Sequence, residues 1–493
     1  MNLSLIAQLL SPELIIVVGI LLSLIFSVFN KLKNHTAGIT AVFFALASLA
    51  CLKLLGTKPT PIMFGSFNSD ALSVFFRFLI YSVSFVIVLS SQRYLKVIES
   101  PAEYYPIFLG ASLGAGLLTG VNDLLFLFVA LETLGLCAIL LASYARLNKG
   151  SNEAGIKYLV SSSVATSILL LGIAFIYGLT GATNFKQVSS ILANLNAFGL
   201  VSMPLLILIS VCFIFSIAFK LGAVPFHNWS PDVYQGAPTT TTVFLSVVSK
   251  TAAFGLAIRL FTSLIVTDLN FVLFSTIAIA SIILGNYVGL VQMLSRGSLK
   301  RLLAYSSIAQ AGYLLIGLAV CNQESISGLI NYLTIYAIMN TGAFLGAIYF
   351  EQVAHSDKIY DYAGLIQKRP LATIATSLCL INLAGLPFIP AGFIAKFFLF
   401  SSAFASGTGL GQLLAIVGLL GSLVALFYYL YFVKIMVVDA PSTAVKQLDD
   451  TVCPGLGIKS AFVLTLLVLI DVGVFGMQLL GEISNSIAAS VLG

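Results

Sequence analysis

Charge is what this sequence has least of: only 9% of its 493 residues are Asp, Glu, Lys or Arg, against roughly 25% in a soluble domain. With 59% hydrophobic residues, such a chain needs lipid as its solvent. The six cysteines (Cys51, Cys137, Cys212, Cys321, Cys379 and Cys453) are scattered without a CxxC spacing, which gives no local zinc or iron–sulfur motif and makes them packing residues. The three histidines, His35, His227 and His355, lie too far apart in sequence to point to a haem or metal site. There is no P-loop, no convincing catalytic triad, and none of the period-two alternation of a membrane barrel. The stretch GASLGAGLLTG (110–120) has Gly114 and Gly116 but lacks the strand–loop–helix setting of a nucleotide fold, so it predicts close helix packing. The opening MNLSLIAQLLSPELIIVV lacks a basic n-region and a small-residue cleavage pattern, so its apolar run is expected to stay as a helix. The net charge of +6 reports which side of the membrane the loops face, and nucleic acid is not implied.

What is present is a succession of apolar runs. In hydrocarbon only helices or closed barrels satisfy every backbone donor and acceptor, so runs of about 17–25 residues predict an all-α polytopic membrane protein. Fourteen spans are expected, near 12–30, 36–55, 71–91, 105–121, 123–145, 157–178, 202–221, 240–262, 270–294, 302–321, 327–350, 371–405, 412–438 and 458–481. Charge tests this count, because alternating spans must sort the loops by side. Lys31, Lys33, Arg93, Lys96, Arg146, Lys149, Lys157, Arg296, Lys300, Arg301, Lys358, Lys368, Arg369, Lys434, Lys446 and Lys459 all follow odd-numbered spans, against Lys53, Lys58 and Lys186 on the other side. The basic side is expected to face the cytoplasm or stroma, with both termini on the periplasmic or lumenal side. The more polar stretch 179–200 is expected outside the membrane, and 439–457 as a loop on the basic side.

Five basic residues remain in or at the ends of apolar runs: Arg77, Lys220, Lys250, Arg259 and Lys396. Glu132 (LFVALETLGL) and Asp471 (VLIDVGVF) are the acids inside such runs. A charge at the bilayer centre costs about 2.5–3.5 kcal/mol even on the lenient insertion scale, so each is expected to be paired, wetted or functional. A guanidinium that never loses its proton makes a poor carrier and a good tie, so Arg77 and Arg259 are read as structural. Asp471 has no obvious partner, and structural pairing is its default.

The lysines stand beside interruptions. LGAVPFHNWSPDVYQGAP sets Pro225, Pro231 and Pro238 among Gly222 and Gly236, and AGLPFIPAGFIAKFFLF sets Pro387 and Pro390 between Gly385 and Gly392 with Lys396 just after. Proline removes a backbone donor, so spans 7 and 12 are expected to be broken. Broken spans at matching places of two halves, spans 4–8 and 9–13, point to an ion pathway. Lys220 adjoins the first break; Lys250, near the middle of span 8, lies too deep to snorkel easily. Desolvation lowers a lysine's proton affinity and a nearby carboxylate restores it, so a moving Glu132 could load and unload Lys220 and pass the proton toward Lys250 and Lys396.

The same residues carry a resemblance. KLGAVPFHNWSPDVYQGAPTTTTVFLSVVSK (220–250), SNEAGIKYLV (151–160), GSLKRLLAYSSIAQAGY (297–313) and LAGLPFIPAGFIAKFFLF (383–400) closely resemble the subunit N (subunit 2) family of the proton-translocating, antiporter-like subunits of complex I. The DVY form of PFHxWxPDVYxGxP looks more like subunit N than the sister subunits L and M or the related cation/proton antiporter subunits, and the chain ends without the long lateral helix expected of subunit L. Gln310, where many relatives carry His, is similar to the cyanobacterial and plastid B subunit of the photosynthetic NAD(P)H-quinone oxidoreductase. Gln235, in place of the usual Glu, and GLPFIPAGF are departures from the pattern.

The resemblance implies two inverted five-helix repeats on a division of 1–104 (three N-terminal spans), 105–262 (first repeat), 263–438 (second repeat) and 439–493 (a loop and the last span). It implies that Glu132 and Lys220 form a conformation-sensitive pair, Lys250 the central relay and Lys396 the site of the second half-channel. His227 is either an auxiliary relay or a cap on broken backbone. No cofactor is expected on this chain: quinone, iron–sulfur clusters and electron donor would belong to other subunits of the complex. The partners implied are the other membrane-arm subunits, sister antiporter-like subunits among them, in a cyanobacterial or plastid thylakoid or a bacterial inner membrane. The alternatives are a subunit of a separate cation/proton antiporter and a structural membrane subunit.

Overall fold

The computed structural model describes residues 3–29, 32–97, 101–197, 202–264, 268–354, 356–387, 390–448 and 455–492. Lys31, His355 and Cys453, the Phe388–Ile389 step of the second break and residues 449–454 of the basic-side loop lie outside them.

Each apolar run is helical. The helices are α1 (Leu3–Leu9), α2 (Ser11–Val28), α3 (Thr36–Leu54), α4 (Ala71–Tyr94), α5 (Pro101–Thr119), α6 (Leu124–Ala142), α7 (Lys149–Thr180), α8 (Phe185–Ala197), α9 (Met203–Leu221), α10 (Trp229–Gly236), α11 (Thr239–Val243), α12 (Ser249–Ser263), α13 (Asp268–Leu294), α14 (Leu299–Val320), α15 (Gln323–Ala354), α16 (Pro370–Ala384), α17 (Ala391–Ala405), α18 (Gly409–Val437), α19 (Thr443–Lys446), α20 (Leu456–Asp471) and α21 (Met477–Leu492). Among the described residues, 12 helices are long and apolar enough to cross a membrane. The shorter α16 and α17 together fill the run at 371–405, which is therefore broken as its prolines require. Span 7 likewise stops at Leu221 and resumes as the short α10.

Span ends follow local chemistry. Asp70 closes a capping box with Ser73 at the start of α4, Asp123 accepts from the backbone N–H of Leu125 and Phe126, and Gly222 and Gly385 end α9 and α16 in the left-handed region, where glycine has no Cβ penalty. A Cβ on Gly114 would lie 2.5 Å from the Leu134 backbone nitrogen, so the glycine-rich stretch does let two helices close up. Two elements go beyond the sequence reading. A hairpin pairs Thr60–Ile62 with Phe67–Ser69, and the polar stretch 179–200 contains the helix α8.

Two helices form the axis of the fold. All of the most apolar stretch of Thr239–Ser263 is buried and 94% of that in α15, against 22% in Leu456–Leu492 at the periphery. The continuous helix Thr239–Ser263 contains a π-helical turn at Phe244–Val248, joining α11 to α12 directly before Lys250. Such a turn holds one extra residue and re-aims the side chains beyond it.

Candidate intramembrane charge pathway

The two arginines are structural, as their chemistry predicts. Arg77, fully buried, meets the Glu13 carboxylate at 3.1 Å and also donates to the Leu9 carbonyl and Ser69 Oγ. Arg259 forms a two-pronged pair with Asp70, both bonds 2.8 Å, and donates to the Thr119 carbonyl. Glu13 was not singled out in the sequence because it sits at the edge of its apolar run. Asp471 behaves differently. It is exposed at the end of α20, where a second π-helical turn, Val472–Gly476, begins, and it has no ion-pair partner among the described residues.

Each break leaves carbonyls without donors, and the sequence provides replacements. In a continuous helix the Tyr234 carbonyl would accept from residue 238, but Pro238 has no N–H; Thr242 Oγ1 donates to it instead at 3.0 Å. The Trp229 indole closes back onto the Phe219 carbonyl at 3.0 Å, and Ser281 Oγ accepts from the Val224 N–H at 2.9 Å. His227 lies beside this break, half-buried, with its Nδ1 buried and without a hydrogen-bond partner. At the second break the Leu383 carbonyl loses its donor because residue 387 is proline, and Lys396 Nζ takes that place at 2.8 Å. The same ammonium lies 5.1 Å from the centre of the Tyr313 ring. A Cβ on Gly392 would overlap the Asn382 carbonyl oxygen, so this approach needs glycine.

Lys220 is held otherwise. Its Nζ is buried without a hydrogen-bond partner, 5.8 Å from the centre of the Tyr158 ring, and within 3.2 Å of where Gly135 would carry a Cβ. Gly135 lies one helical turn from Glu132, so ammonium and carboxylate face the same side of α6 and Glu132 acts on Lys220 electrostatically. They do not touch: Glu132 Oε1 accepts from Thr166 Oγ1 at 2.7 Å. The two groups are thus on one side of α6 without an ion pair between them.

Lys250 is the most enclosed of the three by polar groups. Nζ donates to the Ser307 carbonyl at 2.7 Å and to Ser307 Oγ at 2.6 Å. Ser307 Oγ meets Tyr336 OH at 3.0 Å, and Tyr336 OH reaches the Ser246 carbonyl at 3.1 Å. Asn340 donates to both Ser246 Oγ and Tyr336 OH, leaving its own Oδ1 unpartnered.

Between Lys250 and Lys396 runs a hydroxyl and amide row. Ser306 Oγ bonds to Tyr429 OH, Gln310 Nε2 donates to Tyr429 OH at 3.5 Å, and Tyr332 OH donates to Gln310 Oε1. Tyr313 OH accepts from Asn286, which also accepts from Tyr428 OH at 3.3 Å. Ser306, Ser307, Gln310 and Tyr313 lie along one face of α14, at the i, i+3/i+4, i+7 spacing of a helix. Gln310 thus keeps the row polar where a histidine would have made it titratable. The tyrosines 332, 336, 428 and 429 went unmarked in the sequence, because uncharged residues in apolar runs give no signal. At the first break Gln235 accepts from Arg301 at 2.8 Å and Asp232 pairs with Lys157 at 2.6 Å. Lys220, Lys250 and Lys396 are all buried, and each is held by a different kind of group: an aromatic face, a serine, and a released carbonyl.

Comparison with known proteins agrees in extent and kind. Residues 121–425, more than half of the chain, match the NADH:quinone oxidoreductase/Mrp antiporter transmembrane family. NAD(P)H-quinone oxidoreductase subunit 2 of Prochlorococcus marinus (strain MIT 9215) is 41% identical over 89% of this chain and 85% of its own length. The protein of the same name from Acaryochloris marina (strain MBIC 11017) is 38% identical over 97% of this chain and 91% of its own. A chain of respiratory complex I from Thermus thermophilus with bound aureothin superposes with a TM-score of 0.78 at 26% identity, covering 96% of this chain and 99% of that one.

Proposed function

The chain belongs to the NADH:quinone oxidoreductase/Mrp antiporter transmembrane family, and from that premise we propose that it is the proton-translocating membrane-arm subunit of a complex I-type NAD(P)H- or ferredoxin-driven quinone oxidoreductase. The observation that carries this reading is three buried lysines, Lys250 and Lys396 with a hydroxyl and amide row between them and Lys220 against the Tyr158 ring on the side of Glu132, because a buried ammonium is costly unless it can lose its proton or be paired. Protons move between Lys220, Lys250 and Lys396. Glu132 sets the first step: closing on Lys220 it holds the amine protonated, and opening toward Thr166 it releases the proton inward.

In this reading Lys250 receives the proton against Ser307 and returns it along the α14 face toward Lys396. His227, with its free Nδ1 beside the first break, is an auxiliary carrier. The fold divides into two inverted repeats, 105–262 and 263–438. The basic loops face the cytoplasm or stroma. Sister antiporter-like subunits and the subunits bearing quinone, iron–sulfur clusters and electron donor complete the complex, so the driving redox step happens elsewhere.

Two measurements test this. Lys220→Met and Lys250→Met enzymes that assemble should lose the protons this subunit moves; normal pumping by both sinks the mechanism. Purification of the intact assembly should bring quinone-reducing subunits with it, whereas an assembly of membrane subunits alone would assign the chain to a cation/proton antiporter.

A further inference from the structure

Outside the lysine line, the strongest unassigned group is Glu351, near the end of α15. It sits at the floor of a cavity of about 980 Å³ on the side that carries the basic loops, with Arg93, Lys157, Asp232, Arg301 and Lys358 in its walls. The carboxylate is largely buried and pairs with Lys300 at 3.2 Å. Its other oxygen accepts from Thr239 Oγ1 at 2.6 Å and from Tyr94 OH at 3.0 Å. Tyr94 lines the cavity together with Glu351 and Lys300, whereas Thr239 is fully buried and lies outside that lining, so the Thr239 bond leads from the cavity into the protein.

Thr239 begins the helix that carries Lys250. Thr239 and Ser246 on that helix both face α15, because each bonds to it: Thr239 to Glu351, and Ser246 to Asn340. Seven residues of helix separate them, about 10 Å of rise, a gap that roughly three hydrogen-bonded waters at ~2.8 Å apiece would span. Asn340, fully buried, has an unpartnered Oδ1 at the inner end of that gap. From Ser246 and Tyr336 the hydrogen bonds already reach Ser307 and Lys250.

We propose that Glu351 takes up protons from this cavity and passes them to Lys250, an extension that rests on the proton-relay reading above. A proton from cavity water binds the carboxylate and loosens its pair with Lys300. The Thr239 hydroxyl turns, accepts that proton and gives its own to an inner water file; the last water gives a proton to Tyr336 OH, which passes its own to Ser307 Oγ, which passes its own to neutral Lys250 Nζ. One proton enters and one arrives; Glu351 is again a carboxylate and pairs with Lys300 once more. A plain ion pair tying α14 to α15 would need neither the cavity nor the inward hydroxyl.

The test uses the full complex in membrane vesicles and follows pumped protons per quinone reduced. Glu351→Gln should assemble and pump at a tenth of the normal rate or less, while Glu351→Asp should retain most pumping. Glu351→Ala should recover on addition of formate, an acid small enough for the cavity. Thr239→Val leaves the Lys300 pair in place and should still slow pumping several-fold, which keeps the test open if Glu351→Gln does not assemble. Normal pumping by assembled Glu351→Gln or by Thr239→Val overturns the proposal, as does a Glu351→Ala defect that formate leaves unchanged. Lys250→Met separates the two ideas: if it is inactive while Glu351→Gln is normal, only this uptake site fails, whereas normal pumping by Lys250→Met defeats the underlying relay.

Discussion

The two broken spans place a lysine beside a proline-interrupted helix and then treat it in opposite ways. At the second break, Lys396 completes the backbone, replacing the donor that Pro387 removed from the Leu383 carbonyl. At the first, the indole of Trp229 and the hydroxyls of Thr242 and Ser281 mend the backbone, and Lys220 is left with an aromatic face and a distant carboxylate. A lysine bound to a fixed carbonyl has one well-defined resting position. A lysine whose partner acid is engaged elsewhere is poised for a change in that acid. In the proposed relay the first break is therefore the switch and the second the receiver.

The arginines show what purely structural charge looks like, and they predict the largest loss of stability. Arg77→Ala strands Glu13 in a buried site, and removal of one partner of such a pair costs about 3–5 kcal/mol; thermal unfolding in detergent should register it, or the complex should fail to assemble. Lys396→Met should come next, stopping proton transfer and orphaning the Leu383 carbonyl at a cost of about 1–3 kcal/mol. Lys220→Met breaks no hydrogen bond, so it should stop pumping without lowering the melting temperature. Equal stability losses from the two lysine replacements would erase the distinction between the breaks.

A smaller effect is expected from acid. Burial raises the proton affinity of Asp70, but Arg259 and the Ser73 bonds outweigh it and hold the carboxyl below its ordinary value of 3.8. A carboxyl with a depressed folded-state value is most stabilising above that ordinary value and loses its contribution as pH falls through the depressed one. Melting should accordingly drop below about pH 4, and Asp70→Asn should flatten that drop. The smallest effect is expected for Gly135→Ala, whose methyl would lie 3.2 Å from Lys220 Nζ; it should shift the lysine and slow pumping modestly while assembly is unaffected.

The spans were legible because lipid leaves a helix no alternative, and both breaks because proline cannot donate. The lysines stood out because charge in an apolar run is rare. Their partners were not visible: Thr166, Ser307 and the Leu383 carbonyl are ordinary residues until packing brings them to a charge. Glu132 and Lys220 were expected as a pair, but sequence carries no information on whether such a pair stands open or closed. Glu351 was hidden by its position at a span end, where acids are common. The outward Asp471 shows the converse, since depth in a run says nothing about which way a side chain faces.

The most direct test of the switch is a set of structures of the whole complex at rest and during turnover, resolving the separation between Glu132 and Lys220. At least one turnover state should bring the carboxylate within about 4 Å of the ammonium, the reach of an ion pair, with Thr166 released. A pair that stays open in every state of an enzyme that is pumping would contradict it.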